Sequence, residues 1–257
     1  MIETKNNKIN LYANSDKDKF VNKKIGETFQ NLEDQIYKII KEKIIWHEIK
    51  MGERIIDKKL AEEFGVSRSM VRQVLTVLVK EELLIIIPRN GFYVREITRK
   101  EIEEIYNVRK ILETYVTELA VPKISSRDIA EVEEVFKKAK RDLEKDKVKS
   151  FIEADILLHR LLLDNSGNEP LRGIINEYND KYAFYRVADL SRTERAKESY
   201  FEHYEIFKAV KEKKVQLSIE LMAKHIENAK KIILNNFEEY TYGDVDIIEK
   251  PVDLYKI

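Results

Sequence analysis

The chain has 257 residues, enough for two domains that each bury a core. Its 47 basic side chains balance 47 acidic ones, which excludes a strongly basic molecule, so any affinity for nucleic acid must come from a local concentration of charge. No cysteine is present to form disulfides or thiolate metal sites, and the sequence shows neither a membrane-length apolar run nor a signal-peptide core, so we expect a cytoplasmic protein.

The first part of the chain is predicted to be an extension followed by a helix. Residues 1–28 are polar and show no sustained period, which is typical of a flexible N-terminal extension, and we assign them no function. A helical pattern begins near Leu32. It predicts one apolar face made of Ile36, Ile39, Ile40 and Ile44.

Two further helices are predicted before residue 81. In IDKKLAEEFG, Asp57 is expected to cap a short second helix, and Gly65 to end it in a left-handed conformation. Ser67 is expected to cap a third helix, with Arg68 and Arg72 on its outer face. The inward positions of this third helix are predicted to be Val71, Val74, Leu75 and Leu78.

A β-hairpin is predicted to follow the third helix. Residues 83–87 form a run rich in isoleucine, PRNG is typical of a turn, and residues 92–94 continue in strand character. Three helices and a hairpin predict a winged helix-turn-helix over residues 29–97.

The outer face of the third helix carries the evidence for DNA binding. Arg68 and Arg72 lie four residues apart, and no acid occurs between Gly65 and Lys80. A helix of this kind fits the major groove, where an arginine that binds guanine contributes roughly 1 to 3 kcal/mol of discrimination. An isolated arginine pair more often lies on a solvated helix face, but the flanking turn and hairpin favour a DNA-recognition helix.

The stretch LAEEFGVSRSMVRQVLTVLVKEELL followed by PRNGFYV resembles the GntR family of bacterial transcription regulators. The resemblance implies DNA contacts by Lys58, Arg68, Arg72 and Gly91. From their positions on the third helix and at the hairpin tip, we also expect contacts by Ser67, Ser69, Gln73, Arg89 and Asn90. The sequence departs from the family pattern at Met51, Ser69, Met70, Gln73 and Glu82. Since Gln73 can donate a hydrogen bond, the preferred operator is expected to differ from the common one.

The remainder of the chain is predicted to be all-helical. Thr98 and Glu101 form a capping box, and helical periodicity recurs in about six segments through Asn236. We therefore expect a mainly α fold, with a helical domain over residues 98–238. The predicted breaks are KISSRD, EKDKVKS, DNSGNEP and KEKKVQ. Residues 239–257 lose the helical period and are predicted to form a tail.

Three histidines and one aspartate are predicted to face the core of this helical domain. Asp155 and His159 lie one helical turn apart, and His203 and His225 each align with apolar neighbours at helical spacing. A buried carboxylate without a partner is costly, and a divalent ion among neutral imidazoles removes that cost. For each histidine taken singly, a hydrogen bond to a backbone carbonyl is the simpler interpretation. His47 is expected to be solvated or packed and has no assigned role.

The motifs DILLH, EHYEI and MAKH resemble the FCD domain of the FadR subfamily of GntR regulators. The resemblance implies that Asp155, His159, His203 and His225 bind the metal, with zinc first and nickel, cobalt or manganese as alternatives. It also implies a small carboxylate effector that contacts Arg109 and, more weakly, Asn168. An ion pair with Glu113 is an equal alternative for Arg109.

These features predict a ligand-responsive repressor that binds an inverted-repeat, double-stranded DNA operator as a homodimer, with no membrane partner. Two alternatives stay open. One is a constitutive DNA-binding protein with a purely structural metal, and the other is a metal-dependent hydrolase. Because no nucleophile motif or phosphate-binding loop accompanies the histidines, an enzyme is not expected.

Overall fold

The computed structural model of the chain describes residues 32–243. The predicted extension over residues 1–28 lies outside this range, and so do residues 244–257 of the predicted tail. None of the helices within residues 32–243 is both long and apolar enough to span a membrane.

The N-terminal part is a winged helix-turn-helix. Its elements are α1 (residues 32–45), β1 (Arg54–Ile55), α2 (Asp57–Phe64), α3 (Arg68–Lys80), β2 (Leu84–Ile87) and β3 (Gly91–Val94). The three strands form an antiparallel sheet in the order β1-β3-β2, with Arg54 opposite Tyr93 and Leu84 opposite Val94. The hairpin was predicted, but β1 was not, because a strand of two residues is too short to show a period.

Local signals account for most of the helix boundaries in this domain. Gly65 ends α2 with φ at 66°, and the Ser67 hydroxyl caps α3 by accepting a hydrogen bond from the backbone N–H of Met70 at 3.2 Å. The predicted inward face of α3 is buried as expected. On α1 the prediction for Ile39 is wrong: its side chain is 39% exposed. It lies about 100° around the helix from Ile40, outside the stripe that spacing by four residues produces.

The C-terminal part is all-helical, as predicted. Its elements are α4 (Arg99–Ala120), α5 (Ser126–Leu143), α6 (Lys149–Asn165), α7 (Glu169–Leu190), α8 (Thr193–Lys211), α9 (Val215–Asn235) and α10 (Phe237–Tyr242). The Thr98–Glu101 capping box is confirmed at the start of α4. The break between α7 and α8 was not predicted, since only Ser191 and Arg192 separate the two helices. The helical period also persists further than expected, because α10 continues to Tyr242.

The two parts meet along α7. His47, just after α1, stacks on Phe184 with ring centroids 3.4 Å apart, and its Nε2 lies 2.9 Å from the Phe184 carbonyl oxygen. The Tyr185 hydroxyl donates to the Ile97 carbonyl at 3.3 Å. Only residues 95–98 link β3 to α4, so the connection between the two parts is short.

Candidate metal centre and DNA-reading surface

Three helices of the C-terminal domain bring three imidazoles together. His159 lies on α6, His203 on α8 and His225 on α9, and one ring nitrogen from each lies within 4.8 Å of the others. Nε2 of His159 and Nε2 of His203 are 3.3 Å apart. The His203 side chain is fully buried, and those of the other two are nearly so. The predicted convergence of the three histidines is therefore present.

Each imidazole is oriented by an acceptor on the outside of the cluster. His203 Nδ1 lies 2.8 Å from the backbone oxygen of Ser199, a hydrogen-bond distance at which only the nitrogen can donate. The other two acceptors are carboxylates: Glu202, whose Oε2 is 2.8 Å from His225 Nδ1, and Glu113, whose Oε2 is bonded to His159 Nδ1. With the proton on Nδ1, each Nε2 presents a lone pair toward the centre, which is the arrangement that metal-binding histidines use.

The fourth predicted ligand, Asp155, completes the cluster. Its Oδ1 lies 2.6 Å from His203 Nε2 and 3.9 Å from His159 Nε2, and its Oδ2 is bonded to Arg186. Burial acts to raise the pKa of Asp155, but Arg186 and His203 outweigh it and hold that pKa well below its usual range. The carboxylate is thus ionised and able to bind a cation.

The donor set fits a divalent metal. If His159 and His203 are both neutral with their protons on Nδ1, their Nε2 lone pairs face each other at 3.3 Å, and that of His203 also faces the Asp155 carboxylate at 2.6 Å, so these atoms repel one another unless a proton or a cation lies between them. A proton on His203 would relieve only some of these contacts, whereas a divalent cation relieves them all. Burial lowers the pKa values of His159 and His225, which favours the neutral form that binds metal. Three imidazoles and a carboxylate suit zinc, nickel, cobalt or manganese.

Arg109 lies behind this centre. Its guanidinium forms a buried ion pair with Glu113 and lies 5.3 Å from the centre of the Tyr106 ring. Although burial acts to raise the pKa of Glu113, Arg109 and His159 hold it below its usual range. The ion pair with Glu113, which was the alternative role for Arg109, is therefore present. Through Glu113, whose carboxylate is hydrogen-bonded to His159 Nδ1, Arg109 helps to orient the His159 ring. It borders a space of about 10 Å³ beside Asp155 and His225.

A much larger cavity of about 460 Å³ borders the centre at His159. Its wall includes His159 and Glu113, and α7 supplies Arg172, Asn176 and Asn179. Asn168, predicted to line the effector cavity, is not part of this wall. It is the N-cap of α7, where its side-chain oxygen accepts a hydrogen bond from the backbone N–H of Leu171 at 3.1 Å, because a helix start needs such an acceptor.

The predicted DNA contacts lie on one side of the winged helix-turn-helix. A surface groove of about 470 Å³ is lined by Lys58 of α2, by two arginines of α3 and by the wing tip. The predicted residues in its wall are Lys58, Arg68, Arg72, Arg89, Asn90 and Gly91. Ser67, Ser69 and Gln73 are exposed on the same helix, and the two serine hydroxyl oxygens lie 3.0 Å apart. The structure thus brings the sequence-predicted set into one surface.

Asp57 has a different role from the one predicted. The N-cap of α2 is Ile56, and the Asp57 carboxylate instead accepts from Arg68 Nε at 2.9 Å and from Arg72 Nη1 at 2.7 Å. In the bonds to the two guanidiniums both partners are ionised, whereas in a cap bond only the carboxylate is. Burial acts to raise the pKa of Asp57, but the bonds from Arg72 and Arg68 lower it. Asp57 lies on the preceding helix, outside the acid-free stretch from Gly65 to Lys80, so the sequence did not predict that it contacts the arginines.

Comparisons with known proteins agree with this arrangement. Residues 32–94 match the family model described as bacterial regulatory proteins, gntR family, and residues 104–228 match the FCD domain model. The chain is 30% identical to YdhC of Bacillus subtilis, an uncharacterized HTH-type transcriptional regulator, over 195 residues. The aligned region covers 76% of this chain and 87% of YdhC. It is 28% identical over 187 residues to the gluconate operon transcriptional repressor of Bacillus licheniformis, covering 70% of this chain and 76% of that one.

A solved structure shows the same fold. Escherichia coli McbR/YncC superposes with a TM-score of 0.70 at 24% sequence identity, over 80% of this chain and 98% of that chain.

Proposed function

Because the chain belongs to the GntR family of bacterial regulatory proteins and is a DNA-binding transcription regulator rather than an enzyme, we propose that it is a repressor controlled by a small carboxylate. In this proposal the carboxylate binds at a metal ion in the FCD domain and changes how the winged helices are held on an operator. A cytoplasmic location follows, since that is where a bacterial regulator meets its operator.

One observation carries the metal part of the proposal. Three imidazoles, those of the buried His203 and His225 and of the partly buried His159, have their Nδ1 atoms held by acceptors outside the cluster, while their other nitrogens converge with the Asp155 carboxylate. We propose Asp155, His159, His203 and His225 as the ligands and zinc as the first candidate. When bound, the ion would supply a Lewis-acid site for a carboxylate oxygen, and the cavity beside His159 would give that carboxylate access.

The DNA part of the proposal uses the surface formed by α2, α3 and the wing. Arg68 and Arg72 are the proposed base-reading residues, because both project from the recognition helix with more than half of each side chain exposed. Lys58 and the wing residues Arg89, Asn90 and Gly91 are proposed to contact the backbone or the adjacent groove, with Ser67, Ser69 and Gln73 beside them.

We further propose a homodimer that binds an inverted repeat. One winged helix makes few base contacts, and two heads at a fixed spacing supply both affinity and specificity. The helix α4 supports self-association, because it exposes Ile111 (69%) and Tyr115 (48%) one turn apart on the same face.

A purely structural metal is the second candidate, and one observation favours it. The space beside Asp155 and His225 measures only about 10 Å³, which is room for one water molecule. A metal closed on that side would stabilise the bundle without sensing anything. The larger cavity bordering His159 favours the sensor instead, since it lies within the size range of small-molecule sites.

One experiment separates these candidates. The purified protein is analysed for metal, and its binding to a duplex selected from a random DNA library is measured before and after chelation, with and without a panel of carboxylates. A sensor releases or tightens DNA when one acid is added to the metal-loaded protein, with a coupling of about 1 to 3 kcal/mol. Equal DNA binding by metal-free and metal-loaded protein, unchanged by any acid, would establish the structural metal.

A further inference from the structure

The cavity beside the histidine cluster is bounded by both parts of the molecule. Its walls come mainly from α6 and α7, but Lys41 of α1, in the winged helix-turn-helix, also lines it. The Lys41 side chain is only 3% exposed, so it is part of the interior rather than a surface lysine. A ligand that reaches the Lys41 end of this cavity would contact the DNA-binding part directly.

The charges on the cavity wall select an anion. Among the described residues that line it, four are basic and two are acidic: Lys41, Arg160, Arg172 and Arg186, against Glu113 and Asp164. Both acids have cationic partners, since Glu113 pairs with Arg109 and Asp164 with Arg160 and Arg172. The other two cations are also paired, Lys41 with Glu81 and Arg186 with Asp155, so an anion in the cavity would compete with these carboxylates. The Arg172 Nε is also buried without a hydrogen-bond partner in the part of the chain that the structure describes.

The remaining wall indicates the shape of that anion. Apolar side chains from α4, α6 and α7 make up much of it: Val116, Ile156, Leu162, Leu163 and Ile175. A wall that combines apolar side chains with cationic groups from separate helices suits a short aliphatic chain that carries an anionic group at each end. Such a ligand would contact the helical domain at His159 and the winged helix-turn-helix at Lys41.

Lys41 connects the cavity to the end of the recognition helix. Its Nζ donates to the Tyr37 hydroxyl at 2.8 Å and to Glu81 Oε2 at 3.3 Å, and the Tyr37 hydroxyl donates to the same carboxylate. Glu81 is the C-cap of α3, the helix that carries Arg68 and Arg72. An anion that binds Lys41 competes with Glu81 and so loosens one contact that fixes the end of α3.

The next residue, Glu82, ties the same point to the helical domain. Glu82 stands where the GntR pattern has glycine, and its φ is +60°, a conformation that costs a residue with a side chain about 1 to 2 kcal/mol. Its carboxylate pairs with Lys181 of α7 at 2.9 Å, two residues beyond the cavity-lining Asn179. A salt bridge across the two parts thus accompanies a strained backbone at the end of α3.

Building on the proposed carboxylate response, we infer that the effector is a short dicarboxylate that reaches from the histidine cluster to Lys41, and that Glu81 and Glu82 transmit its binding to the recognition helix. Lys41 is then the residue that makes the DNA-binding part sense the ligand. Glu82 is a positioning residue that keeps α3 coupled to α7.

The test uses the full-length, metal-loaded protein and four forms of it: wild type, Lys41→Met, Glu82→Gly and Lys43→Met. Lys43 is the matched control, because it is a lysine on the same helix that pairs with Glu63 and does not line the cavity. The probes are succinate, glutarate and adipate, each compared with the monocarboxylate of equal chain length: butyrate, valerate and hexanoate. Binding is measured by calorimetry, and DNA affinity by fluorescence anisotropy.

Wild type and Lys43→Met should bind one of the diacids more tightly than its monoacid partner. Lys41→Met should bind that diacid about tenfold more weakly, as expected for a lost charge-assisted hydrogen bond, with unchanged binding of the monoacid. Glu82→Gly should fold, since glycine tolerates φ at +60°, and should still bind the diacid, but the diacid should change its DNA affinity less than in wild type.

Two results would overturn this inference without touching the proposed carboxylate response. They are a diacid preference that survives Lys41→Met, and a wild-type protein that responds to monoacids at least as strongly as to diacids. If the diacid changes the DNA affinity of Glu82→Gly as much as that of wild type, Glu82 does not transmit ligand binding to the recognition helix. If none of the six acids binds but another carboxylate of the panel changes DNA binding, the inferred dicarboxylate is wrong and the carboxylate response stands. If no carboxylate binds a wild-type protein that retains metal and DNA binding, the carboxylate response itself is wrong.

Discussion

The DNA-reading surface and the histidine cluster are both built from polar side chains held by carboxylates, but they lie in opposite environments. Asp57 holds Arg68 and Arg72 where more than half of each guanidinium side chain is in contact with water. Glu113 and Glu202 hold His159 and His225 in the interior of a helical bundle. The same device therefore has different consequences. In the interior the carboxylates fix the orientation and the protonation state of the histidines. At the surface the carboxylate reduces the net charge around the arginines and contributes little to stability.

The largest effect is expected from breaking the buried cluster. His203→Ala should lose the metal, and its free energy of unfolding should fall by about 4 kcal/mol relative to wild type at a metal concentration near 1,000 times the dissociation constant. Metal content and chemical denaturation, each with and without chelator, measure this. His47→Asn serves as the control histidine and should keep its metal. A chelator effect of equal size in His203→Ala and wild type would contradict ligation by His203.

The contact between the two parts is expected to respond to pH. Burial lowers the pKa of His47 from 6.5 to about 4, whereas the hydrogen bond to the Phe184 carbonyl acts in the opposite direction. Below pH 6.5 the unfolded chain binds a proton that the folded chain does not yet bind. The contribution of His47 to stability is therefore complete above pH 6.5 and falls by at most about 3 kcal/mol as the pH decreases to 4.

Denaturation of metal-free wild type and His47→Asn at several pH values isolates this contribution. Asparagine tolerates the left-handed conformation of His47, whose φ is 59°, so the variant should fold. The difference in free energy of unfolding between the two proteins should change between pH 6.5 and 4. A constant difference across that range would show that His47 is not responsible.

An exposed reading residue should affect DNA binding and leave stability almost unchanged. Arg72→Ala should weaken binding to the selected operator by about 1 to 3 kcal/mol and relax the preference for one base. Its melting temperature should stay close to that of wild type, because the side chain is 54% exposed. Arg127→Ala on α5, a more exposed arginine far from α3 in the chain, is the control. A large loss of stability in Arg72→Ala would assign Arg72 a structural role.

The smallest effect is expected from removing the carboxylate between the arginines. Asp57→Asn removes the negative charge that pairs with Arg68 and Arg72, so the net charge of the surface rises by one. Binding to a scrambled duplex should therefore strengthen by less than about 1.4 kcal/mol. The ratio of operator to scrambled affinity should decrease, because the arginines lose their orientation. Glu131→Gln makes the same charge change on α5 and should alter neither affinity. Unchanged binding to both duplexes in Asp57→Asn would show that Asp57 does not tune this surface.

The sequence was sufficient to predict the elements whose signals are local. A capping box needs only residues 98 and 101, and a helical period places Asp155 and His159 on one face. The inward direction of His203 and His225 followed from apolar neighbours at the same spacing. These rules act within one helix, so they apply before any tertiary structure is known.

The parts that were missed depend on contacts between elements. Glu202 is adjacent to His203 in the chain but orients His225, and Asp57 leaves its expected cap position for two arginines of the next helix. Lys41 and His159 line one cavity although 118 positions separate them in the sequence. No periodic pattern in the sequence connects residues so far apart. Such pairings are set by how helices pack, and a single sequence carries no signal for them.

The short link between β3 and α4 sets a limit on how this regulator can choose its sites. Residues 95–98 span at most about 14 Å when fully extended, and the Arg95 backbone N–H is already bonded to the Leu83 carbonyl. In the proposed homodimer, a winged helix on so short a link cannot shift to meet half-sites at variable separations. If the operator is the proposed inverted repeat, base pairs inserted between its halves should therefore abolish simultaneous binding of both winged helices rather than weaken it gradually.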